Sequence, residues 1–151
     1  IIQCEKLPDG RLNILCVGDA RFRLLQTHTN LPYLSGTIDL WPWIPVDAIT
    51  VQGKLGRIRV RLDRYLNLLS QLTNSRIEID LPDEPAGLAN LAATLLQIES
   101  PEKQQLLATA SIAELIDRVD ALLHREIRGL QIVQAAQHLH PLDESIPFSL
   151  N

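Results

Sequence analysis

The sequence predicts an α+β fold, with a β lobe over residues 1–48 followed by a helical lobe over residues 49–151. Three observations predict it. Residues 1–41 place apolar side chains at the two-residue period of strands, cut by Pro-Gly and Gly-Asp turns. From about residue 53 the period lengthens to the three- and four-residue steps of helices. Strands come first and helices follow, rather than alternating, which argues against a parallel α/β sheet.

A chain of 151 residues is the size of one domain and can bury a core without disulfide or metal staples. With 46% hydrophobic and 21% charged residues it falls outside the disordered and low-complexity classes, and 4% aromatic content predicts an aliphatic core. No apolar run approaches the roughly 18 residues of a membrane span, and no basic-then-apolar leader opens the chain. Two cysteines, Cys4 and Cys16, cannot make a disulfide scaffold or a four-ligand zinc site. The expectation is a cytoplasmic protein with both thiols reduced and buried. The chain contains no methionine and opens at Ile1-Ile2, which reads as the middle of a strand, so its N-terminus is expected to be trimmed.

Each element has its own justification. In Leu7-Pro8-Asp9-Gly10 the proline fixes φ and the glycine accepts a positive one, so residues 1–6 and 11–17 should pair as a hairpin. Gly18-Asp19 marks the next turn. Residues 21–27 alternate charged and apolar side chains (Arg21, Phe22, Arg23, Leu24), as a strand with one wet face would, and residues 33–41 alternate likewise around Gly36. Four short strands suggest a small barrel or curled sheet. Trp41-Pro42-Trp43-Ile44-Pro45 ends the lobe, because two prolines so close cannot continue a central strand.

In the helical lobe, Leu55, Ile58, Leu62, Leu66 and Leu69 make one apolar stripe, and Asn74-Ser75 breaks that helix. Residues 76–81 read as a short strand or an extended link. Pro82-Asp83-Glu84-Pro85 leads into a second helix with Asp83 as its expected N-cap and Leu88, Leu91, Ala92 and Leu95 as its buried stripe. Ser100-Pro101-Glu102 starts a third, with Ser100 read as the cap. Ser111-Ile112-Ala113-Glu114 is a capping box. It opens the longest helix, over residues 111–137, whose stripe runs through Leu115, Val119, Leu122, Leu123, Ile127 and Leu130.

The formal net charge of −4 hides an asymmetry. Residues 1–75 carry nine basic and six acidic side chains, residues 76–151 five and twelve. The halves therefore face different partners or each other. Arg57, Arg61 and Arg64 share one helical face beside Lys54 and Arg59, a stripe that suits phosphate contacts and an RNA-binding alternative. The favoured reading is a solvated face paired with the acidic second half, because the whole chain is acidic and no run of stacking aromatics accompanies the arginines. The composition thus argues against nucleic acid as the main partner.

Several segments together resemble one family, the N-terminal domain of Lon proteases, also found as free-standing Lon-domain proteins. The first is Leu7-Pro8-Asp9-Gly10-Arg11, then Gly18 followed by Arg21-Phe22-Arg23, then Pro32-Tyr33-Leu34. The second is Leu81-Pro82-Asp83-Glu84-Pro85-Ala86-Gly87-Leu88-Ala89, then Glu102-Lys103-Gln104 with Leu106-Leu107, then a long helix carrying Glu126-Ile127. Each is weak alone; their order and spacing are specific. The chain departs from the pattern in lacking the family's opening strands with their FEPRY motif, in having Leu115 where an arginine is common, and in carrying Trp41-Pro42-Trp43. The resemblance implies a PUA-like β-barrel, incomplete at its N-terminus, joined to a helical bundle. It implies a role in recognising unfolded, damaged or tagged polypeptides for degradation and in assembling the protease. The tail from His140 onward, where the helical pattern stops at proline and a short mixed segment follows while full-length relatives continue in charged helix, suggests a free-standing Lon-domain protein.

Catalytic chemistry is not expected of this chain. Gly53-Lys54-Leu55 lacks the upstream glycine and the hydroxyl of a phosphate-binding loop, and no serine sits in a nucleophile context, so no cofactor is expected. His138 and His140 have no ligand cluster around them. His124 reads as a surface side chain, and His28 stands at a strand end. The candidate polypeptide-binding residues are Tyr33, Leu34, Trp41 and Trp43. Held in a proline-stiffened loop, the two indoles offer a preorganised apolar patch; alternatively they cover the joint between the lobes, since tryptophan is highly buried on average. A further alternative is assembly, with the long helix mediating self-association through its Leu and Ile stripe.

Overall fold

The computed structural model describes residues 1–139. The chain separates into two compact units, Ile1–Trp43 and a second beginning at Ile44. The first is all β. Strands β1 (Gln3–Lys6) and β2 (Leu12–Leu15) pair antiparallel with Cys4 opposite Ile14. Their turn closes as the sequence requires: Gly10 has φ +87°, its N–H donates to the Leu7 carbonyl at 3.0 Å, and the Asp9 carboxylate accepts from the Arg11 amide at 3.0 Å and its Nε at 2.8 Å. Strands β3 (Phe22–His28) and β4 (Ser35–Leu40) form the second hairpin. A bulge leaves Leu25 without a partner between the Leu24–Ile38 and Gln26–Thr37 pairs. The glycine at position 36 lets the two strands approach, since a Cβ there would lie 2.8 Å from the Gln26 carbonyl oxygen.

Four expectations for this unit are corrected. Among the described residues the four strands make two separate two-stranded ladders, not one curled sheet. Residues 21–27 were expected to show one wet face; instead both faces of both hairpins are exposed, because a two-stranded sheet has no second layer to bury a face against. Cys4 and Cys16 are exposed free thiols for the same reason. Tyr33 and Leu34 precede β4 rather than opening it.

The second unit holds the helices α1 (Ala48–Thr73), α2 (Pro85–Leu95), α3 (Ser100–Leu107) and α4 (Ile112–Leu139). Helix α1 begins five residues earlier than the apolar period suggests, because the Asp47 carboxylate accepts from the Thr50 amide at 3.2 Å and caps it. It ends at Asn74, whose φ of 49° is the left-handed conformation that asparagine tolerates. Residues 76–81 are an extended link with no strand. The cap of α2 is Glu84, accepting from the Ala86 and Gly87 amides, and not Asp83. With Pro85 at the first helical position the cap must be the residue before it, and Asp83 is taken by Arg59 at 2.7 Å. Ser100 likewise lies inside α3, which starts after Glu99 without a side-chain cap. The capping box at α4 forms, with Ser111 Oγ accepting from the Glu114 amide at 3.2 Å and the Glu114 carboxylate reaching back to the Ala110 amide at 2.9 Å.

The core is aliphatic. Leu55, Ile58, Leu62 and Tyr65 of α1 pack with Leu88, Ala89 and Ala92 of α2, Leu106 of α3, and Leu115, Ile116, Val119, Leu123 and Ile127 of α4, all buried. The stripe of α4 is spent on its neighbours as far as Ile127, whereas Ile132 and Val133 are exposed. No helix among the described residues is long and apolar enough to cross a membrane. The side chain of His138 and all of residues 140–151, on which the metal and free-standing readings of the tail rest, lie outside the described residues.

Candidate functional site

Register alone sorts the side chains of the β3–β4 hairpin. Phe22 faces Leu40 and Leu24 faces Ile38 across the ladder, so these four share one face. All four are exposed, at 53, 64, 56 and 47% respectively, which leaves an apolar surface in water. The other face carries Arg21, Arg23, Asp39 and Trp41. Hydrogen bonding extends the ladder by one residue, because the Trp41 amide donates to the Arg21 carbonyl at 2.9 Å.

On that second face guanidinium and indole groups stack. The Arg21 guanidinium carbon lies 3.1 Å from the Trp43 ring centre and 4.8 Å from that of Trp41, and the Arg23 carbon lies 3.9 Å from the Trp41 ring. These are cation–π contacts, favoured because the electron-rich ring face attracts the cation. Burial pulls the Arg21 guanidinium below the usual arginine range, yet arginine stays charged at any physiological pH. Both indoles are half-buried. Sequence reasoning took Arg21 and Arg23 as a solvated strand face. The signal it missed is register, since a hairpin closed between His28 and Ser35 sets Arg21 and Arg23 beside Trp41.

The four residues proposed from sequence do not form one cluster. Tyr33 and Leu34, 64 and 72% exposed, stand at the tip of the β3–β4 connection, whereas Trp41 and Trp43 lie at its open end. At about 3.3 Å per residue the two pairs are roughly 20 Å apart along the hairpin. His28 closes β3 beside the tip, and its Nε2 and Thr37 Oγ1 are 2.8 Å apart.

The arginine stripe of α1 meets the acidic helix α4. Arg57 and Arg61 approach the Asp120 carboxylate at 3.8 and 2.6 Å, and Lys54 reaches Asp117 at 2.6 Å. Among the described residues Arg64 has no carboxylate partner. It borders an open groove of about 450 Å³ with Asn67, Gln71, Val60, Leu68 and, from α4, Gln131. Among the described residues no three His, Cys, Asp or Glu side chains gather as a metal site.

Comparison with known proteins gives one consistent result. Residues 1–125 match the family model of the ATP-dependent protease La (LON) substrate-binding domain. The chain is 31% identical over 134 residues to a Lon protease of Azospirillum brasilense, with 87% of this chain and 16% of that protein covered. It is 27% identical over 127 residues to one of Phenylobacterium zucineum, covering 83% and 16%, and 29% identical over 134 residues to Lon protease 1 of Thermus thermophilus, covering 86% and 17%. The chain thus spans about a sixth of the length of these relatives.

Proposed function

The chain belongs to the LON substrate-binding domain family of ATP-dependent protease La, and we propose that it binds unfolded or damaged polypeptide for Lon-type proteolysis while carrying out no reaction itself. The observation that carries this reading is the exposed apolar face of Phe22, Leu24, Ile38 and Leu40, backed on the other face by the indoles of Trp41 and Trp43. Contiguous apolar surface kept in water marks a place where another chain docks. In this reading the two units act as one Lon N-terminal-type domain, the four strands belong to a PUA-like barrel wall, and ATPase and peptidase activities reside in other modules.

The test is a titration with a permanently unfolded polypeptide carrying a fluorescent label, read by anisotropy, at low and moderate salt. Saturable, salt-tolerant binding is expected, and Trp41→Ala with Trp43→Ala should weaken it about tenfold, as loss of an aromatic anchor does, with helix content unchanged. Because Trp41 and Trp43 are the only tryptophans, intrinsic fluorescence of the unaltered chain should shift as well. Binding to single-stranded RNA alone, collapsing with salt, would move function to Arg57, Arg61 and Arg64. Silence with both ligands would sink the polypeptide reading and favour assembly.

A further inference from the structure

We infer that the open groove between α1 and α4 is a second polypeptide-binding site, one that holds an extended segment bearing an acidic side chain. It goes beyond the polypeptide-binding reading above, because it stands on other residues and lies wholly within the helical unit. Helix α1 carries five basic side chains between positions 54 and 64. Four of them meet carboxylates: Lys54 meets Asp117, Arg57 and Arg61 meet Asp120, and Arg59 meets Asp83. Among the described residues the fifth, Arg64, has no such partner, and it is exposed in the lining of the groove. A guanidinium keeps its charge at any physiological pH and offers its N–H donors in a planar fork that fits a carboxylate. An acidic side chain is therefore the complement of this groove.

The rest of the groove suits a main chain of any sequence. Val60, Arg64, Asn67 and Gln71 recur at helical spacing and so line one face of α1. From Val60 to Gln71 is about 16 Å of helix, the span of roughly five residues of extended chain. Asn67 and Gln71, with Gln131 from α4, present side-chain amides, each carrying both donor and acceptor as a peptide bond does. Gln134 Nε2 donates to Gln71 Oε1 at 2.7 Å, which orients the Gln71 side chain in advance and leaves its own Nε2 to donate. Buried Leu68 and exposed Val60 add apolar lining for the segment's other side chains. Asp63, also in the lining, repels a second negative charge, so a single acidic residue fits better than a run of them. Nucleic acid is a poorer match, because its phosphates repeat, whereas among the described residues the lining holds one cation and no aromatic ring for a base to stack on.

The experiment follows the isotope-labelled full chain by NMR during titration with capped peptides of Gly, Ser and Val around one central Glu, Gln or Lys, beside the permanently unfolded polypeptide. Side-chain amide signals of Asn67, Gln71 and Gln131 report on the groove, and the indole N–H signals of Trp41 and Trp43 report on the β lobe. The Glu peptide should shift the three groove amides and bind about fivefold more tightly than the Gln or Lys peptide, the size of an ion pair at an open site. Arg64→Gln should abolish that preference, Arg64→Glu should turn it toward the Lys peptide, and Arg64→Lys should keep part of it, all with helix content unchanged. Gln71→Ala should weaken the three peptides alike. Equal affinity for the three peptides in the unaltered chain overturns the inference. Indole shifts with the unfolded polypeptide, while no peptide moves the groove amides, overturn it and leave the proposed function standing; silence of both sets of signals overturns both. Groove shifts that grow with protein concentration alone assign the groove to a second copy, and Glu-peptide binding seen only after removal of residues 140–151 assigns it to this chain's own tail; either overturns the inference. Tighter binding of single-stranded RNA than of the Glu peptide, lost in Arg64→Gln, overturns it in favour of nucleic acid.

Discussion

Arg61 and Asp120 are joined twice: the Arg61 guanidinium lies 2.6 Å from the Asp120 carboxylate and also donates to the Asp120 backbone carbonyl at 3.2 Å. Arg57 and Lys54, one and two turns earlier on α1, continue this line toward Asp120 and Asp117. The basic first half and acidic second half of the chain are thus partly reconciled as a seam between α1 and α4. The Arg61 and Asp120 side chains are 32 and 14% exposed, between the surface case worth under about 1 kcal/mol and the buried case whose breakage costs roughly 3–5 kcal/mol. Asp120→Ala is therefore expected to cost about 1–3 kcal/mol, measured by denaturant unfolding. A double-mutant cycle with Arg61→Ala should show coupling, and strict additivity would mean the seam is incidental.

Glycines in the two units should respond to alanine with opposite sign. Gly53 and Gly56 lie within α1, and a Cβ at either meets nothing within 4 Å, so Gly→Ala at each should stabilise by roughly 0.5–1 kcal/mol through helix propensity alone. At Gly36 an added Cβ would meet the Leu24 side chain at 2.5 Å and the Gln26 carbonyl at 2.8 Å. Gly36→Ala should loosen the β3–β4 ladder by about 1–3 kcal/mol, read as faster amide exchange in β3 with α1 and α4 unaffected.

Tyr65 is buried, and its hydroxyl accepts from the Gln97 amide at 3.0 Å. Tyr65→Phe leaves that N–H without its acceptor and should cost about 1 kcal/mol. Burial pushes the Tyr65 phenol up, the main effect, against a lowering by the Gln97 bond. Its contribution is fully present below about pH 10, the unfolded value, and is lost as pH rises through the higher folded one. The alkaline fall in stability should be shallower in Tyr65→Phe; an identical profile would place the loss on other groups.

Acid should loosen the helical unit through two carboxyls. The Ala110 amide first, then Arg118, hold Glu114 below its ordinary range, and the Arg125 side chain does the same for Glu102. A depressed carboxyl contributes stability above its unfolded pKa of about 4.3 that disappears as pH falls through the lower folded value. Glu114→Gln should flatten the acid limb of a stability profile taken below about pH 5. Ser111→Ala removes the other half of the capping box and should cost about 1 kcal/mol at every pH.

Much of the fold was legible because it is local. The turn at Gly10, the break at Asn74 and the capping box at Ser111 and Glu114 are each decided by residues within a few positions of one another. The apolar stripes of α1 and α4 follow from period alone. Caps were read less well: Asp83 and Ser100 have the right chemistry in the right neighbourhood, yet a cap is fixed by which residue directly precedes the first turn. At α2 that was decided partly by Arg59, 24 residues away, taking Asp83 for itself.

By itself the sequence determined the α+β order, the aliphatic helical core, and the motifs whose spacing led to the Lon substrate-binding family. Tertiary structure alone decided what depends on pairing across distance. Hairpin register set Arg21 and Arg23 against the indoles and separated Tyr33 and Leu34 from Trp41 and Trp43. Among the described residues no second layer covers Cys4, Cys16 or the Phe22–Leu40 face, and all of these are exposed. Helix packing joined Arg61 to Asp120. The physical reason is common to all of these: periodicity reports which side of its own element a residue takes, while its neighbours on that side are chosen by register and packing, which no local pattern records.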